Sequence, residues 1–277
     1  GRALKGHAPF LPAVTTRQVG ATMIATERGA VMANSARFDF SGANVLVTGG
    51  SNGIGHAIAT AFRDAGASVT ITGTRADGAY DSDFTGLTYR ALDMRDAAGI
   101  AALAAALPKL DVLVNCAGQA RFNEYEPEVF EETVAVNLTG SFRMANAVLP
   151  QLKASRGSVI NIASMTSYFG MSLIPGYGAS KAGVLQMTKT LAEAWAGDGV
   201  RVNAIAPGWV ETNMTAPAQS NPDFDAKIVA HTPMRRWAKP VEMAGTVLFL
   251  CSDAAAFITG VTVPVDGRIV AASWTDA

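Results

Sequence analysis

Tyr177 and Lys181 are the side chains whose types and spacing most directly suggest a reaction. They lie four residues apart in a stretch predicted to be helical, so the phenol and the ammonium share one helix face. An opposite charge within about 4–6 Å favours the phenolate, which lets a tyrosine exchange a proton with an alcohol or ketone oxygen near neutral pH. Ser164, which follows a predicted strand, is suited to donate a hydrogen bond to the same oxygen. Taken alone, the spacing fits an ordinary tyrosine and lysine on a helix equally well.

A glycine-rich turn between a predicted strand and a predicted helix is the second chemically informative feature. It reads Thr48-Gly49-Gly50-Ser51-Asn52-Gly53-Ile54-Gly55. Glycines tolerate positive φ and carry no Cβ, so the backbone can approach a pyrophosphate lying at the N-terminus of the helix. The turn therefore indicates a nucleotide site. Its spacing differs from G-x-G-x-x-G, and a purely structural glycine connection remains the alternative.

Strands and helices alternate along the chain from Phe38 onward. Strands are predicted at 45–48, 68–72, 87–92, 111–115, 158–163, 201–206 and 261–265, and helices at 54–65, 96–106, 130–152, 177–196 and 241–250. Nearly all-apolar strands in this alternation are typical of a parallel sheet covered on both faces. The sequence thus predicts an α/β fold, a doubly wound Rossmann-like sheet of about seven strands in a single domain over residues 38–272.

Two connections interrupt the alternation. Residues 73–86 have little apolar periodicity, so a loop or a single turn is expected there instead of a helix. Residues 209–239 form a long connection, which we interpret as a substrate loop, with a mobile surface excursion as the alternative. Its apolar side chains can roof a pocket at the carboxyl ends of the strands: Trp209, Met214, Phe224, Met234 and Trp237.

The composition argues against several classes of partner. The chain has 277 residues, a formal net charge of -1 and no basic stripe, so neither nucleic acid nor a membrane surface is expected to bind it. Its three histidines are far apart and lack ligand-spaced neighbours, so no metal site is expected. Cys116 and Cys251 lie in apolar surroundings, which suits free thiols in a reducing compartment, and we expect a cytoplasmic protein.

Residues 1–31 differ from the rest of the chain. They show no sustained helical or strand periodicity and no continuous apolar run of the kind an export signal needs. We expect a disordered or appended N-terminal extension that is dispensable for folding and turnover, with an organellar transit peptide as the alternative.

Further short motifs follow one another in a fixed order: Thr48 to Gly55, Asp93, Asn115-Cys116-Ala117-Gly118, Asn137, Ser164, Tyr177-Gly178-Ala179-Ser180-Lys181, Pro207-Gly208 with Thr212, and Val265-Asp266-Gly267. Together they resemble the short-chain dehydrogenase/reductase family, specifically its single-domain members, over nearly all of the chain from Phe38 to Gly267. Three features depart from the family pattern. Cys116 replaces a second asparagine, the helix after the second strand is missing, and Arg268 stands where a glycine often follows Asp-Gly.

The resemblance implies roles for individual residues. Tyr177 would be the proton donor, Ser164 would hold the reacting oxygen, Lys181 would also bind the nicotinamide ribose, and Asn137 would support a water-mediated proton path to the lysine. Asp93 would bind the adenine amino group. The full set of cofactor-binding residues that it implies is Gly49, Ser51, Asn52, Gly53, Ile54, Gly55, Thr74, Arg75, Asp93, Met94, Asn115, Ala117, Gly118, Tyr177, Lys181, Pro207, Gly208, Val210 and Thr212.

The function expected on these grounds is an NAD(P)-dependent oxidoreductase that interconverts a ketone and a secondary alcohol by hydride transfer. One alternative is a 3-oxoacyl-thioester (acyl carrier protein) reductase, although residues 121–126 are more acidic than basic. Another is a non-catalytic, cofactor-sensing binding protein, although such proteins lose the tyrosine or the lysine. The family resemblance also implies a homotetramer assembled through the two long helices and through the last helix and strand.

NADP(H) is expected to be slightly favoured over NAD(H). In dinucleotide folds, an acidic side chain about 20 residues beyond the glycine turn binds the ribose 2′-hydroxyl and repels a 2′-phosphate. The corresponding window, Thr72 to Arg75, holds no acid and one cation. Asn52 and Asp77 argue in the opposite direction, because one is neutral where a second base is common and the other is acidic.

Overall fold

Seven parallel strands form one sheet. A computed structural model of the chain describes residues 36–76 and 79–271. Its strands are β1 (Asn44–Thr48), β2 (Ser68–Gly73), β3 (Leu87–Ala91), β4 (Val112–Asn115), β5 (Ser158–Ile162), β6 (Arg201–Pro207) and β7 (Thr262–Val265). Their order in the sheet is β3-β2-β1-β4-β5-β6-β7, with parallel pairing at every step. The predicted doubly wound α/β fold is confirmed.

Helices cover both faces of the sheet. They are α1 (Gly53–Asp64), α2 (Ala97–Ala105), α3 (Pro127–Val134), α4 (Ser141–Ala147), α5 (Leu149–Ser155), α6 (Pro175–Trp195), α7 (Ala216–Gln219), α8 (Pro222–His231) and α9 (Val241–Cys251). Successive strand residues point to opposite faces. In β1, Val45 and Val47 therefore pack with α1 and α9, whereas Leu46 packs with α2, α4 and α6. This explains why successive residues of β1 from Val45 to Val47 are all apolar.

The strand order reverses at β1, whose neighbours are β2 on one side and β4 on the other. In open α/β sheets, a crevice forms beyond the carboxyl ends of the strands at such a switch point, and ligands bind there. The glycine turn that follows β1 lies at this point. The topology therefore places Gly49 to Gly55 where a nucleotide would be bound.

The secondary structure of two predicted segments differs from the prediction. The continuous helix over 130–152 is divided into α3, a π-helical turn at 135–140, α4 and α5. The connection 209–239 contains two helices, α7 and α8, and is therefore not simply a loop. Pro217 and Pro222 occupy first-turn positions of these helices, where the absent N–H has no intrahelical partner to lose.

The connection between β2 and β3 contains no helix in its described residues, as predicted. Aromatic packing organises it instead. Phe84 and Tyr89 stack with ring centroids 5.4 Å apart, and Tyr80 lies 5.9 Å from each of them. Asp77, which the sequence places near the cofactor-discriminating window, lies outside the described residues.

Arg268 takes φ 76°, in the left-handed region that favours glycine. Its N–H donates to Asp266 Oδ1 at 2.8 Å, which helps to hold this conformation. The backbone at this position therefore has the geometry that a glycine would adopt without strain.

The compact unit begins at Phe38. The predicted N-terminal extension, residues 1–31, lies outside the described residues. Within the described ranges, no helix combines the length and the apolar character that crossing a bilayer requires.

Candidate active site

A cavity of about 500 Å³ lies at the carboxyl edge of the sheet, between the segments that follow β1, β2, β3 and β4. It brings together most of the residues that the sequence assigned to a cofactor: Gly49, Ser51, Asn52, Gly53, Ile54, Gly55, Thr74, Arg75, Asp93, Met94, Ala117, Gly118, Tyr177, Lys181 and Thr212. The volume falls within the range of about 300–1,000 Å³ typical of small-molecule sites.

The glycine turn packs closely against the end of β4. Gly49 has φ 65°, and a Cβ on it would lie 2.7 Å from the Ala117 Cα. Thr48 Oγ1 accepts the N–H groups of Cys116 and Ala117 at 3.1 and 3.2 Å. The turn thus requires glycine for both its conformation and its contacts, and a side chain would push β1 away from β4.

The N-terminus of α1 offers backbone N–H donors to an anion in the cavity. Asn52, the N-cap residue, makes no side-chain capping hydrogen bond, and the first turn contains no acidic residue. The first N–H groups of a helix have no intrahelical acceptor and carry a partial positive charge. Gln119 also lines the cavity. Its Nε2 is buried and has no hydrogen-bond partner among the described residues. This donor set and the glycine cradle fit a dinucleotide.

A smaller cavity of about 120 Å³ meets the first one at Tyr177, which lines both. Ser164 also lines the smaller cavity, and its hydroxyl acts on the Tyr177 phenol to lower the pKa of that group. Ser164 is positioned by its own turn, because its Oγ accepts the N–H of Thr166 at 3.2 Å. Two hydroxyl groups therefore face one small space.

Lys181 is buried beside this pair. Its Nζ donates to Ile162 O at 2.7 Å and lies 5.6 Å from the centroid of the Tyr177 ring. Burial lowers the pKa of Lys181 to about 8.

The pKa of Tyr177 is raised, contrary to the expectation from sequence. Desolvation of the phenol is the largest cause, and the hydrogen bond with Ser164 only partly opposes it. The helical spacing does place Lys181 near the ring, but its ammonium is directed to the Ile162 carbonyl. At neutral pH the structure therefore holds Tyr177 as a neutral phenol, the form that can donate a proton.

Cys116, the departure from the family pattern, lines the larger cavity. Burial raises the pKa of its thiol to about 11, and the charge of Lys181 opposes this effect. At neutral pH the thiol is thus protonated and brings no negative charge to the site.

Comparison with known proteins assigns the chain to a family. Residues 49–267 match the profile of a family described as enoyl-(acyl carrier protein) reductase. D-threitol dehydrogenase of Mycolicibacterium smegmatis is 38% identical over 251 residues, which cover 84% of this chain and 95% of that protein. The 3-oxoacyl-[acyl-carrier-protein] reductase of Escherichia coli is 37% identical and covers 83% of this chain and 98% of its own length. The chain belongs to the short-chain dehydrogenase/reductase family.

A solved structure supports the same assignment. Gluconate 5-dehydrogenase from Burkholderia cenocepacia, in complex with NADP and tartrate, has a TM-score of 0.80 and 30% identity and covers 86% of this chain and 98% of its own. As a member of the short-chain dehydrogenase/reductase family, this protein is an NAD(P)-dependent oxidoreductase that interconverts ketones and secondary alcohols by hydride transfer.

Asn137, in the π-helical turn, joins two parts of the short-chain dehydrogenase/reductase site. Its Nδ2 donates to Gln119 O at 2.9 Å and to Ser180 Oγ at 3.0 Å, and its Oδ1 accepts the Gln119 N–H at 2.8 Å. These bonds tie the segment after β4 to α6. Asn137 therefore fixes Lys181 relative to the cavity wall through the residue next to it.

Four predicted cofactor residues do not line the larger cavity. Asn115 is buried and donates to Ser141 O and Asn161 Oδ1, so it belongs to the polar interior of the sheet. Pro207 ends β6, and Val210 is buried where it pairs with Ala238. Gly208 lines the smaller cavity instead. Asp93 does line the larger cavity, and Arg95 Nη2 contacts its carboxylate at 2.6 Å.

Glu124 is the positioning residue that the sequence did not reveal. It is only 1% exposed, its Oε2 accepts the N–H of Tyr177 at 2.7 Å, and its Oε1 accepts the N–H of Arg121 at 3.0 Å. Thr133 Oγ1 donates to the same Oε1 at 3.3 Å. An acidic residue within an acidic stretch gives no sequence signal for this role, because the N–H that it binds lies 53 residues away.

We expect Glu124→Gln to lower the free energy of unfolding by about 1–3 kcal/mol, because the new amide group presents a donor to N–H groups that need an acceptor. The value of kcat should fall as well, since the start of α6 carries Tyr177. Urea unfolding and steady-state rates measure both effects. Glu126→Gln is the matched control, as Glu126 is exposed. Equal stability of the two variants would contradict the positioning role.

Proposed function

We propose that this oxidoreductase uses Tyr177 as its proton donor, Ser164 as the hydrogen-bond donor to the reacting oxygen and Lys181 as the group that orients the cofactor. The observation that carries the proposal is that Tyr177 lines both cavities and shares the smaller one with Ser164. A carbonyl in the smaller cavity would meet both hydroxyls. The larger cavity, with its glycine turn and Lys181, would hold the dinucleotide.

The proton chemistry follows from the environment of each group. The raised pKa of Tyr177 keeps its phenol protonated, so it can donate to an oxygen that becomes an alkoxide. Ser164 would stabilise the same developing charge with a second hydrogen bond. When bound, the nicotinamide supplies the hydride for reduction or accepts it for oxidation. Asn137 would support a water-mediated proton path to Lys181.

The test is a panel of ketones and secondary alcohols assayed with NADPH and NADH by absorbance. We expect consumption of NADPH with ketones and its formation with the matching alcohols. Cofactor binding without turnover of any member of the panel would favour the alternative of a non-catalytic, cofactor-sensing protein.

A 3-oxoacyl-thioester reductase is the second candidate, because one relative carries that name. Two findings concern residues 121–126, the acidic stretch that argued against a 3-oxoacyl-thioester reductase. Glu124 is buried, so its charge does not face a carrier protein, and Arg121 is half-exposed and paired with Glu132 at 3.1 Å. The same panel separates the candidates if it includes a 3-oxoacyl thioester beside the free 3-oxoacid.

We infer a preference for NADP(H) over NAD(H). Arg75 lines the larger cavity, and its guanidinium carbon lies 5.5 Å from the centroid of the Tyr80 ring. The backbone N–H of Arg75 donates to the Tyr80 hydroxyl at 3.0 Å, so the aromatic cluster fixes the turn that carries the cation. Thr74 and Ser51 lie in the same wall. These groups can hold a 2′-phosphate.

Arg75→Ala should therefore shift the ratio of kcat/KM for NADPH to that for NADH toward NADH by about tenfold, because a charge-assisted contact to a phosphate is lost. Arg90→Ala is a suitable control, since Arg90 is an exposed cation outside the walls of the larger cavity. An unchanged ratio would mean that Arg75 does not contact the 2′-phosphate. A parent enzyme whose kcat/KM is tenfold higher with NADH would overturn the inferred preference.

Three broader expectations belong to the same proposal. A homotetramer is supported by exposed apolar side chains at Phe142, Val241 and Phe257, on or next to the elements that the family resemblance implicates in assembly. A cytoplasmic location is supported by free Cys116 and Cys251. The domain is proposed to span 38–272 with 209–239 as its substrate segment, and residues 1–31 are proposed to be dispensable.

A further inference from the structure

The smaller cavity is too small for a whole substrate. Its volume of about 120 Å³ lies below the range of about 300–1,000 Å³ that small-molecule sites usually occupy. It can take the reacting carbonyl and its nearest substituents. Any larger molecule must continue into adjoining space.

That space is a third cavity, of about 830 Å³, which shares a wall with the smaller one. The residues common to both are Met165, Met171, Leu173, Trp209 and Phe224. Trp209 is held by edge contacts to Phe224 and Trp237, with ring centroids 6.0 and 5.4 Å apart. Asp225 accepts the indole N–H of Trp237 at 2.6 Å, which fixes this wall further.

The shared wall selects against a polyhydroxylated chain. Its side chains are thioethers, aliphatic groups and aromatic rings, which offer almost no acceptors or donors. Hydroxyl groups desolvated against such a surface would lose their hydrogen bonds to water without replacement. A substrate segment that lies along these shared side chains is therefore expected to be apolar.

The outer side of the third cavity is cationic. Lys227 and His231 on α8, and Arg235 just beyond it, line this side, and none of the described residues lining the cavity is Asp or Glu. Neither Lys227 nor Arg235 forms an ion pair within the described ranges. Arg235 Nη1 donates to Ala230 O, which holds the guanidinium against the end of the helix.

We propose that the substrate carries a carboxylate, separated by an apolar segment from the carbonyl or alcohol that reacts. This inference rests on the proposed function for the position of the reacting group. The carbonyl lies beside Ser164 and Tyr177, the apolar segment passes Trp209 and Phe224, and the carboxylate lies between Lys227 and Arg235.

The experiment compares ligands that differ only in charge. A series of methyl ketones whose alkyl chain ends in a carboxylate, with increasing chain length, is titrated against the corresponding methyl esters. NADP⁺ is present throughout, because it cannot reduce a ketone and the complexes are therefore at equilibrium. Quenching of tryptophan fluorescence reports occupancy, since Trp209 lines both cavities, and calorimetry provides an independent Kd.

At the best chain length, the carboxylate should bind about two- to fivefold more tightly than its ester, the range expected for partly exposed charge pairs. The preference should fall with added salt. In the double variant Lys227→Gln, Arg235→Gln, the two ligands should bind equally while the Kd of the ester stays unchanged. Arg235→Lys should keep the preference, and so should Lys239→Gln, which removes an exposed cation from the same segment outside both cavities.

Equal binding of carboxylate and ester at every chain length would overturn the inference. A preference that survives the double variant, or that disappears in Lys239→Gln, would overturn it as well. Turnover is measured separately with NADPH. Failure to oxidise NADPH with any of the ketones would count against the proposed function, whereas the binding ratio would still decide whether the carboxylate site exists.

Discussion

Tyr177→Phe is expected to lower kcat by about 10²–10⁴ while leaving the Kd for NADP⁺ nearly unchanged. The substitution removes one oxygen and keeps the ring. Tyr177 and Ser164 line the same small cavity, and the raised pKa of the Tyr177 phenol makes it a proton donor at neutral pH. The glycine turn and the N-terminus of α1, which the structure offers to the dinucleotide, are not altered.

The pH dependence gives a second readout of the same group. Reduction needs the protonated phenol, so its rate should hold through neutral pH and fall as pH rises through the raised pKa of Tyr177. Oxidation needs the phenolate, so its rate should rise over the same interval. Both dependences should be absent in Tyr177→Phe.

Cofactor titration by fluorescence beside steady-state rates decides the point. Tyr125→Phe is a matched control, because Tyr125 is an exposed tyrosine that lines none of the three cavities. If Tyr177→Phe binds NADP⁺ and still turns over at more than about a tenth of the parent rate, Tyr177 is not the proton donor.

The fold was predictable because its signals are local. The central strands β1 and β4 are short apolar runs, and the helices α1 and α9 follow from the 3.6-residue pattern that covers one face of the sheet. The glycine turn was predictable for a similar reason, since Gly49 and Gly53 adopt positive φ at the point where a strand meets a helix. These features depend on neighbours in the sequence.

The features of the site that the sequence did not predict depend on contacts between residues far apart in the chain. Glu124 binds the N–H of Tyr177 across 53 residues, and no local pattern indicates that pairing. The pKa of Tyr177 was predicted in the wrong direction because the spacing to Lys181 reveals the proximity of a charge but not the burial of the phenol. The connection 209–239 was predicted as a loop, but it contains α7 and α8, each with a proline in its first turn, and residues of both helices line the proposed substrate cavities.

Lys181, proposed to orient the cofactor, also lowers the stability of the fold. Its ammonium is 4% exposed and accommodated by one carbonyl, Ile162 O, so burial lowers its pKa from 10.5 to about 8. Holding this charge near pH 7 costs on the order of 3 kcal/mol of folding stability. The structure retains this destabilising cation beside Tyr177, the residue that lines both cavities. Its position is consistent with a role in the site rather than in the core.

Lys181→Met is therefore expected to lower kcat strongly, by about 10² or more, and to weaken NADP⁺ binding as well, whereas Tyr177→Phe affects only the rate. The variant should remain folded, because relief of the buried charge offsets the donor lost from Ile162 O, which is worth about 1–3 kcal/mol. Its stability should also differ from the parent in pH dependence. A lysine with a lowered pKa destabilises the fold while charged, so the parent should gain stability relative to the variant as pH rises from about 8 to 10.5.

Urea unfolding of the parent and Lys181→Met across this pH interval, with NADP⁺ titrations and rates, measures all three effects. Lys189→Met is the matched control, since Lys189 lies two turns along the same helix and is exposed. An unchanged Kd for NADP⁺ would remove Lys181 from the cofactor site. A stability difference that stays constant with pH would show that the ammonium is not held in the buried, destabilised state that its position between Ile162 and the Tyr177 ring implies.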